Sequence, residues 1–170
     1  EELEIVDATQ KQIAGEMTKT ASGLRSAASN MRSGKADGGP AGTEGATADD
    51  LDSMADNLDA GAVALNDDGS KGYVANAGSF SGNTFAEATV GGKTMTIDTG
   101  HFNFGDESGF TGFALGHESL HNAGLSDQKF SGSRMTAYRY GSFGQKRAFK
   151  SLSKAKRWKN PDHIMSVVRP

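Results

Sequence analysis

The sequence predicts an α+β protein, a small mixed domain with a short β-sheet and one dominant helix, preceded by a helical extension. Three observations carry this reading. All the aromatic residues lie between Tyr73 and Trp158, and residues 1–72 hold none. Apolar residues recur at helical spacing before residue 72, and turn-bounded short runs alternate with helical ones after it. Charge divides too: Leu125–Pro170 carries eleven Lys and Arg against Asp127 and Asp162, so the rest of the chain is strongly acidic. The organisation read from this is a helical part over 1–72 and a mixed domain over 73–170.

Composition sets bounds. Leu, Ile, Val and Phe make up only about 16% of the 170 residues, below the ~20% at which disorder is usual. A net charge of −3 is too low to keep the chain unfolded, so a small core is expected. The 23 glycines assign much of the chain to turns. No cysteine is present, which excludes disulfide scaffolds and thiolate metal sites. No apolar run approaches the ~18 residues of a membrane span. The start, Glu1-Glu2-Leu3-Glu4, is acidic where a signal peptide is basic and lacks Met, and reads as a piece of something longer.

Positions 3, 6, 10, 13, 17, 20, 24, 27 and 31 step by threes and fours and are mostly apolar, predicting one long helix. Gly34–Gly45, with Pro40 inside it, predicts a flexible connector. Thr47 suits an N-cap, with Asp49 and Asp50 in the first turn. Leu51, Met54, Leu58, Ala62 and Leu65 form the apolar face of a second helix, which Asn66-Asp67-Asp68-Gly69 ends. That acidic run lacks the spaced ligands of a calcium loop and reads as a turn. Phe85–Val90 and Lys93–Asp98 flank Gly91-Gly92 as a hairpin, with Met95 and Ile97 on one face. A helix is expected from Ser108 to Ala123, stopped by Gly124. Another is expected over Gln145–Lys159, where Phe149, Leu152, Ala155 and Trp158 recur every third residue.

The first of those two helices carries the chemistry, in His117-Glu118-Ser119-Leu120-His121. Histidines four apart stand one turn above each other, so both imidazoles can reach one ion. Glu118 lies beside them, placed to hold water rather than metal. Composition alone yields this pattern with a probability of about 0.4%. Gly124 can take positive φ and turn the chain back, so that Asp127, three residues on, reaches the same ion. Two imidazoles and a carboxylate leave the fourth position of a tetrahedral zinc open, as hydrolysis needs. Beyond His121 the only other candidates for a third ligand are Asp162 and His163, because Glu118 is the last glutamate.

The stretch His117–Asp127 resembles the metzincin zinc-peptidase signature H-E-x-x-H-x-x-G-x-x-H/D. Asp162-His163-Ile164-Met165-Ser166 resembles that family's Met-turn, in which Met165 would form an apolar floor below the zinc. The resemblance spans roughly Lys93 to Ser166. It implies a zincin-like catalytic domain, a Zn2+ cofactor held by His117, His121 and Asp127, and a protein or peptide substrate cleaved with Glu118 as general base. It also implies that the Lys93–Asp98 strand is the edge that pairs with substrate. Tyr138 or Tyr140 could donate to the tetrahedral intermediate, and His101 reads as a loop residue. Departures are the Val at 167, where relatives have Tyr, and the short sequence after it. A domain of this kind behind Gly- and Ala-rich sequence also resembles the toxin tips of bacterial polymorphic toxins. That implies secretion or delivery by an exported parent, and a cognate immunity protein.

Two rival functions come from the same residues. One is a non-catalytic module stabilised by metal. The other is a binder of nucleic acid or an anionic surface through Lys146, Arg147, Lys150, Lys154, Lys156, Arg157 and Lys159. No nucleic-acid motif accompanies those cations, and the plainer expectation is a solvated face neutralising the acidic N-terminal part.

Overall fold

The computed structural model describes residues 2–105 and 109–170; Ser108, the expected first residue of the helix that carries His117 and His121, lies outside them. Six helices and a three-stranded sheet make a mixed α+β fold in the order α1 (Glu2–Arg32), α2 (Ala48–Leu65), β1 (Val74–Gly78), β2 (Ala86–Ala88), β3 (Thr94–Asp98), α3 (Phe110–Asn122), α4 (Phe143–Ser151), α5 (Lys154–Arg157) and α6 (Pro161–Val168). Among the described residues no helix is long and apolar enough to cross a membrane.

α1 and α2 form an antiparallel hairpin. The buried positions of α1 begin on the expected stripe at Val6, Ile13, Met17 and Leu24, but Ala21 and Ala28 are buried where Thr20 and Ala27 were expected. A straight helix turns every 3.6 residues, so its buried face drifts off a stripe drawn at 3.5. The α2 face is as expected, and Thr47 and Asp50 close a reciprocal capping box. Arg25 pairs with Asp56 and Asp59, and Arg32 with Asp49 and Asp52, across the hairpin. These exposed pairs set the hairpin's register more than its stability. The connector is anchored rather than loose: Thr43 is buried and its hydroxyl donates to the Pro40 carbonyl at 2.6 Å.

α3 runs through the middle, with α1 and α2 on one side, the sheet on another and α6 against it. One core includes Ile13 and Met17 of α1, Leu58 of α2, Leu115 and Leu120 of α3 and Met165 of α6, so packing is continuous across residue 72. Small residues permit the close approach. A Cβ at Gly61 would meet Met17 Cε at 2.6 Å and Ser119 Oγ at 2.9 Å, and one at Gly116 would run into the Met165 side chain and Ile13. Overpacking of this kind costs ~1–3 kcal/mol. Gly116→Val should therefore lower the denaturant midpoint by an amount equivalent to about 2 kcal/mol; an unchanged midpoint would show that α6 is free to shift.

The sheet order is β1-β3-β2, with β1 parallel and β2 antiparallel to β3. The hairpin exists as expected, with shorter strands. β1 was not expected, because Val74-Ala75-Asn76-Ala77-Gly78 lacks the β-branched alternation that marks a strand. β1 makes β3 the central strand, so the Lys93–Asp98 segment is not an edge, and the edge nearest α3 is β2 instead.

Two further expectations are corrected. The helix over Gln145–Lys159 is broken at Leu152 and Ser153, where Leu152 is extended. A step of three residues advances only ~300° around a helix, so Phe149, Leu152, Ala155 and Trp158 cannot share one face. The break lets Leu152 and Trp158 both become buried while Ala155 stays exposed. Residues 162–166, read as a Met-turn, lie inside α6. Asn160-Pro161 starts a helix here, with Pro in the first turn where its missing N–H costs nothing. Met165 is fully buried and packs against Gly116.

Candidate metal centre

α3 is buried nearly all round and ends as its sequence predicts. Gly124 has φ 103°, the Leu125 amide donates to Leu120 O at 3.0 Å, and the Gly124 amide to His121 O at 2.9 Å. This left-handed stop turns the chain back on the helix it has just left and brings Asp127 over the two histidines. Other ties fix the helix end to the sheet: Gly91 N–H donates to His121 O, and Asn122 Nδ2 donates to the carbonyls of Thr89 and Thr94.

His117, Glu118 and His121 are buried together. Each histidine has its Nδ1 engaged by an acceptor. His117 Nδ1–H donates to Asp162 Oδ1 at 2.6 Å, and His121 Nδ1–H donates to the Leu125 carbonyl at 2.8 Å. In neutral rings both Nε2 lone pairs are therefore free, and they face each other at 3.0 Å. Asp127 Oδ1 stands 3.3 Å from one Nε2 and 3.6 Å from the other, buried and without a hydrogen-bond partner. Three electron-rich atoms this close repel unless one positive charge stands among them. Donors ~2.0–2.1 Å from a tetrahedral ion lie about 3.3 Å apart, which is the size of this triangle. The donor set thus fits a metal ion. A Glu118 carboxylate oxygen also comes within 4.8 Å of both histidines, but Asp127 is the closer third donor.

Titration follows the same logic. Burial opposes charge on His117, yet Asp127 and Asp162 outweigh it and raise its pKa to about 10. His121 is pushed below its ordinary value by burial and by the neighbouring His117. Between the two carboxylates the pair thus carries one positive charge, on His117. Burial raises Glu118 to about 7, against the pull of His117. Its Oε2 is buried and unpartnered, while the Ala88 amide bonds to the carboxylate. Burial works to raise Asp127, but the neighbouring His117 charge and the hydrogen bond from Tyr138 bring it below the usual range.

The structure gives the remaining candidates distinct places. The Tyr138 hydroxyl donates to Asp127 Oδ2, and burial and that bond raise its pKa, so this hydroxyl orients Asp127. Tyr140 is half exposed at the mouth of the adjoining cleft, edge-on to Phe113 at 5.0 Å. His163 stacks on Phe149 at 3.8 Å instead of joining the triangle. His101 accepts from Asn103 N–H in its own loop. Asp162 is buried, with Oδ1 on His117 and Oδ2 accepting from Arg139 N–H at 2.5 Å; it positions His117 rather than completing the triangle. Asn160 was expected only as part of a turn and not as a site residue, yet it is fully buried. Its side chain accepts from Gln128 N–H and donates to Ala137 O, holding the segments that carry Asp127 and Tyr138 beside α6.

Glu118 opens onto a cleft of about 690 Å³ whose wall includes Phe85, Ala86, Phe110, Phe113, Tyr140 and Gln145. The Asp98 amide bonds to Phe85 O, so by antiparallel alternation the backbone groups of Ala86 and Ala88 point outward from the sheet. In the basic segment Lys156 donates to Lys129 O and Arg157 to the carbonyls of Leu152 and Lys150, while the Gly42 amide and the nearby Arg157 charge hold Glu44 of the acidic part below its ordinary pKa. Compared with family models, curated proteins and solved structures, the chain matches none.

Proposed function

We propose that the protein is a zinc-dependent endopeptidase with a zincin-like, metzincin-type centre. The observation that carries this reading is the triangle of His117 Nε2, His121 Nε2 and Asp127 Oδ1 beside a buried, unpartnered Glu118 oxygen that faces an open cleft. His117, His121 and Asp127 would hold the ion. Zinc bound there would supply Lewis-acid polarisation of the scissile carbonyl and acidify water. Glu118, with a pKa near neutrality, takes the proton from the attacking water and returns it to the leaving amine. Asp162 keeps His117 in the Nδ1–H tautomer, and Tyr138 keeps Asp127 aimed at the histidines. An extended peptide would lie along the outward backbone of β2, its side chains against the apolar wall of Phe110 and Phe113. The Gly- and Ala-rich N-terminal sequence supports delivery by an exported bacterial parent with a cognate immunity protein.

The test is metal content and cleavage measured together. The purified chain should take up about one zinc, as structural and catalytic zinc sites do, and cleave peptides from a proteome-derived library until a chelator is added. Zinc uptake without cleavage of any peptide would leave a metal-stabilised binding module instead. Asp162→Ala should lower zinc affinity by about 10–100-fold, the usual effect of losing the partner that orients a ligating histidine; competition against a chromogenic chelator reads this directly.

A further inference from the structure

From Leu125 onward the exposed charged side chains of the segment itself are all cationic. The two acidic side chains of this stretch, Asp127 and Asp162, are both turned inward, onto His117, Tyr138 and the Arg139 amide. Solvent instead meets Lys129, Arg134, Lys146, Arg147, Lys150 and Lys154, all exposed. Lys154 lies along the connector at Gly45; the others are carried by α4 and the 129–136 segment, which touch. A bridge between Lys129 and Thr136 folds the intervening residues back on themselves. Met135 then sits against Gly144 of α4, 2.9 Å from where a Cβ would stand, and the Lys156 ammonium ties α5 to Lys129 O at 2.7 Å.

Apolar side chains project from the same face. Phe143 is 84% exposed, Met135 42% and Phe130 39%. At ~100° per residue, Phe143, Lys146, Arg147 and Lys150 fall within one arc of α4, opposite the buried Ala148. Exposed aromatic and thioether tips set among cations suit the boundary of an anionic bilayer, where the tips enter the acyl edge and the ammonium groups reach phosphate. Lysine outnumbers arginine here, which favours attraction by a charged surface over the bidentate reading that arginine gives to nucleic acid.

We propose that this face, made by α4, α5 and the 129–136 segment, docks the protein onto an anionic lipid bilayer. The binding is peripheral, by side chains at the interface. Gln145, which α4 contributes to the cleft wall, lies about 150° around the helix from the middle of that arc, so docking leaves the cleft uncovered. The inference is independent of the proposed hydrolysis, because it uses none of the residues of the metal centre.

The test uses the full chain with vesicles of phosphatidylcholine alone, or with about one-third phosphatidylglycerol, in co-sedimentation. Binding is expected to the anionic vesicles only, and it should weaken as salt rises. K146E/R147E/K150E should weaken it by more than about a hundredfold, since the loss of each surface cation alone costs roughly a factor of five and the reversal adds repulsion. Phe143→Ser, at an exposed position that cannot disturb the core, should weaken binding about tenfold while the salt dependence remains. Equal binding to neutral vesicles, no binding to either, or insensitivity to the triple charge reversal overturns the proposal. So does a duplex oligonucleotide that strips the protein from vesicles while Phe143→Ser has no effect, an outcome that makes this a nucleic-acid face.

Discussion

Glu118→Gln is expected to abolish peptide hydrolysis while the protein stays folded and binds zinc. The substitution is nearly isosteric, so the amide oxygen can still accept from the Ala88 amide. What it removes is the capacity to take a proton at the one buried, unpartnered oxygen facing the cleft. Losing a general base costs ~10²–10⁴ in rate, and the upper end is expected because the same carboxylate would also aim the nucleophile. Rate, zinc content and thermal midpoint should be measured on one preparation. Wild-type hydrolysis by this variant would remove Glu118 from the chemistry. Loss of zinc would make Glu118 a ligand, which its approach to both histidines gives a geometric basis.

Asp127→Ala should weaken zinc binding by more than the ~10–100-fold expected for an orienting residue, because it deletes a corner of the triangle itself. It also strips the Tyr138 hydroxyl of its acceptor, leaving a half-buried polar group to find water. His163→Ala should leave zinc affinity unchanged, since His163 is stacked on Phe149. The informative quantity is the order of the affinities, with Asp127→Ala weakest, Asp162→Ala between and His163→Ala at the wild-type level. If Asp127→Ala binds normally and Asp162→Ala does not, the third donor is Asp162 and the metzincin reading fails. Asp127→His should recover part of the affinity, because an imidazole supplies another neutral nitrogen donor.

What could be read from the sequence was what is local. The four-residue spacing of His117 and His121 and the stop at Gly124 are set by helix geometry and one left-handed glycine, which put Asp127 within reach before Tyr138 and Asn160 fix its place. The α2 face and its Thr47 cap were legible for the same reason. What stayed hidden depends on tertiary packing. Nothing near Asp162 marks it as the partner of a histidine 45 residues away. β1 becomes a strand because β3 offers it a pairing edge, not through its own propensity. Asn160-Pro161-Asp162 is compatible with either a turn or a helix start, and apolar Ile164 and Met165 decide for the helix by packing into the core.

The centre also has a temporal side. His117 requires Asp162, the segments bearing Asp127 and Tyr138 require Asn160, and Arg169 joins Glu16 of α1 across 153 residues. The same arginine donates to Gly109 O, at the head of α3. Contacts so distant along the chain form late, after most of the ordering entropy has been spent. During synthesis, then, the two histidines emerge long before the residues that orient them. A nascent chain that has not yet released residues 160–169 carries the two histidines but not the side chains that orient them. The geometry of this centre therefore forms only once the α6 segment has been released and packed against α3.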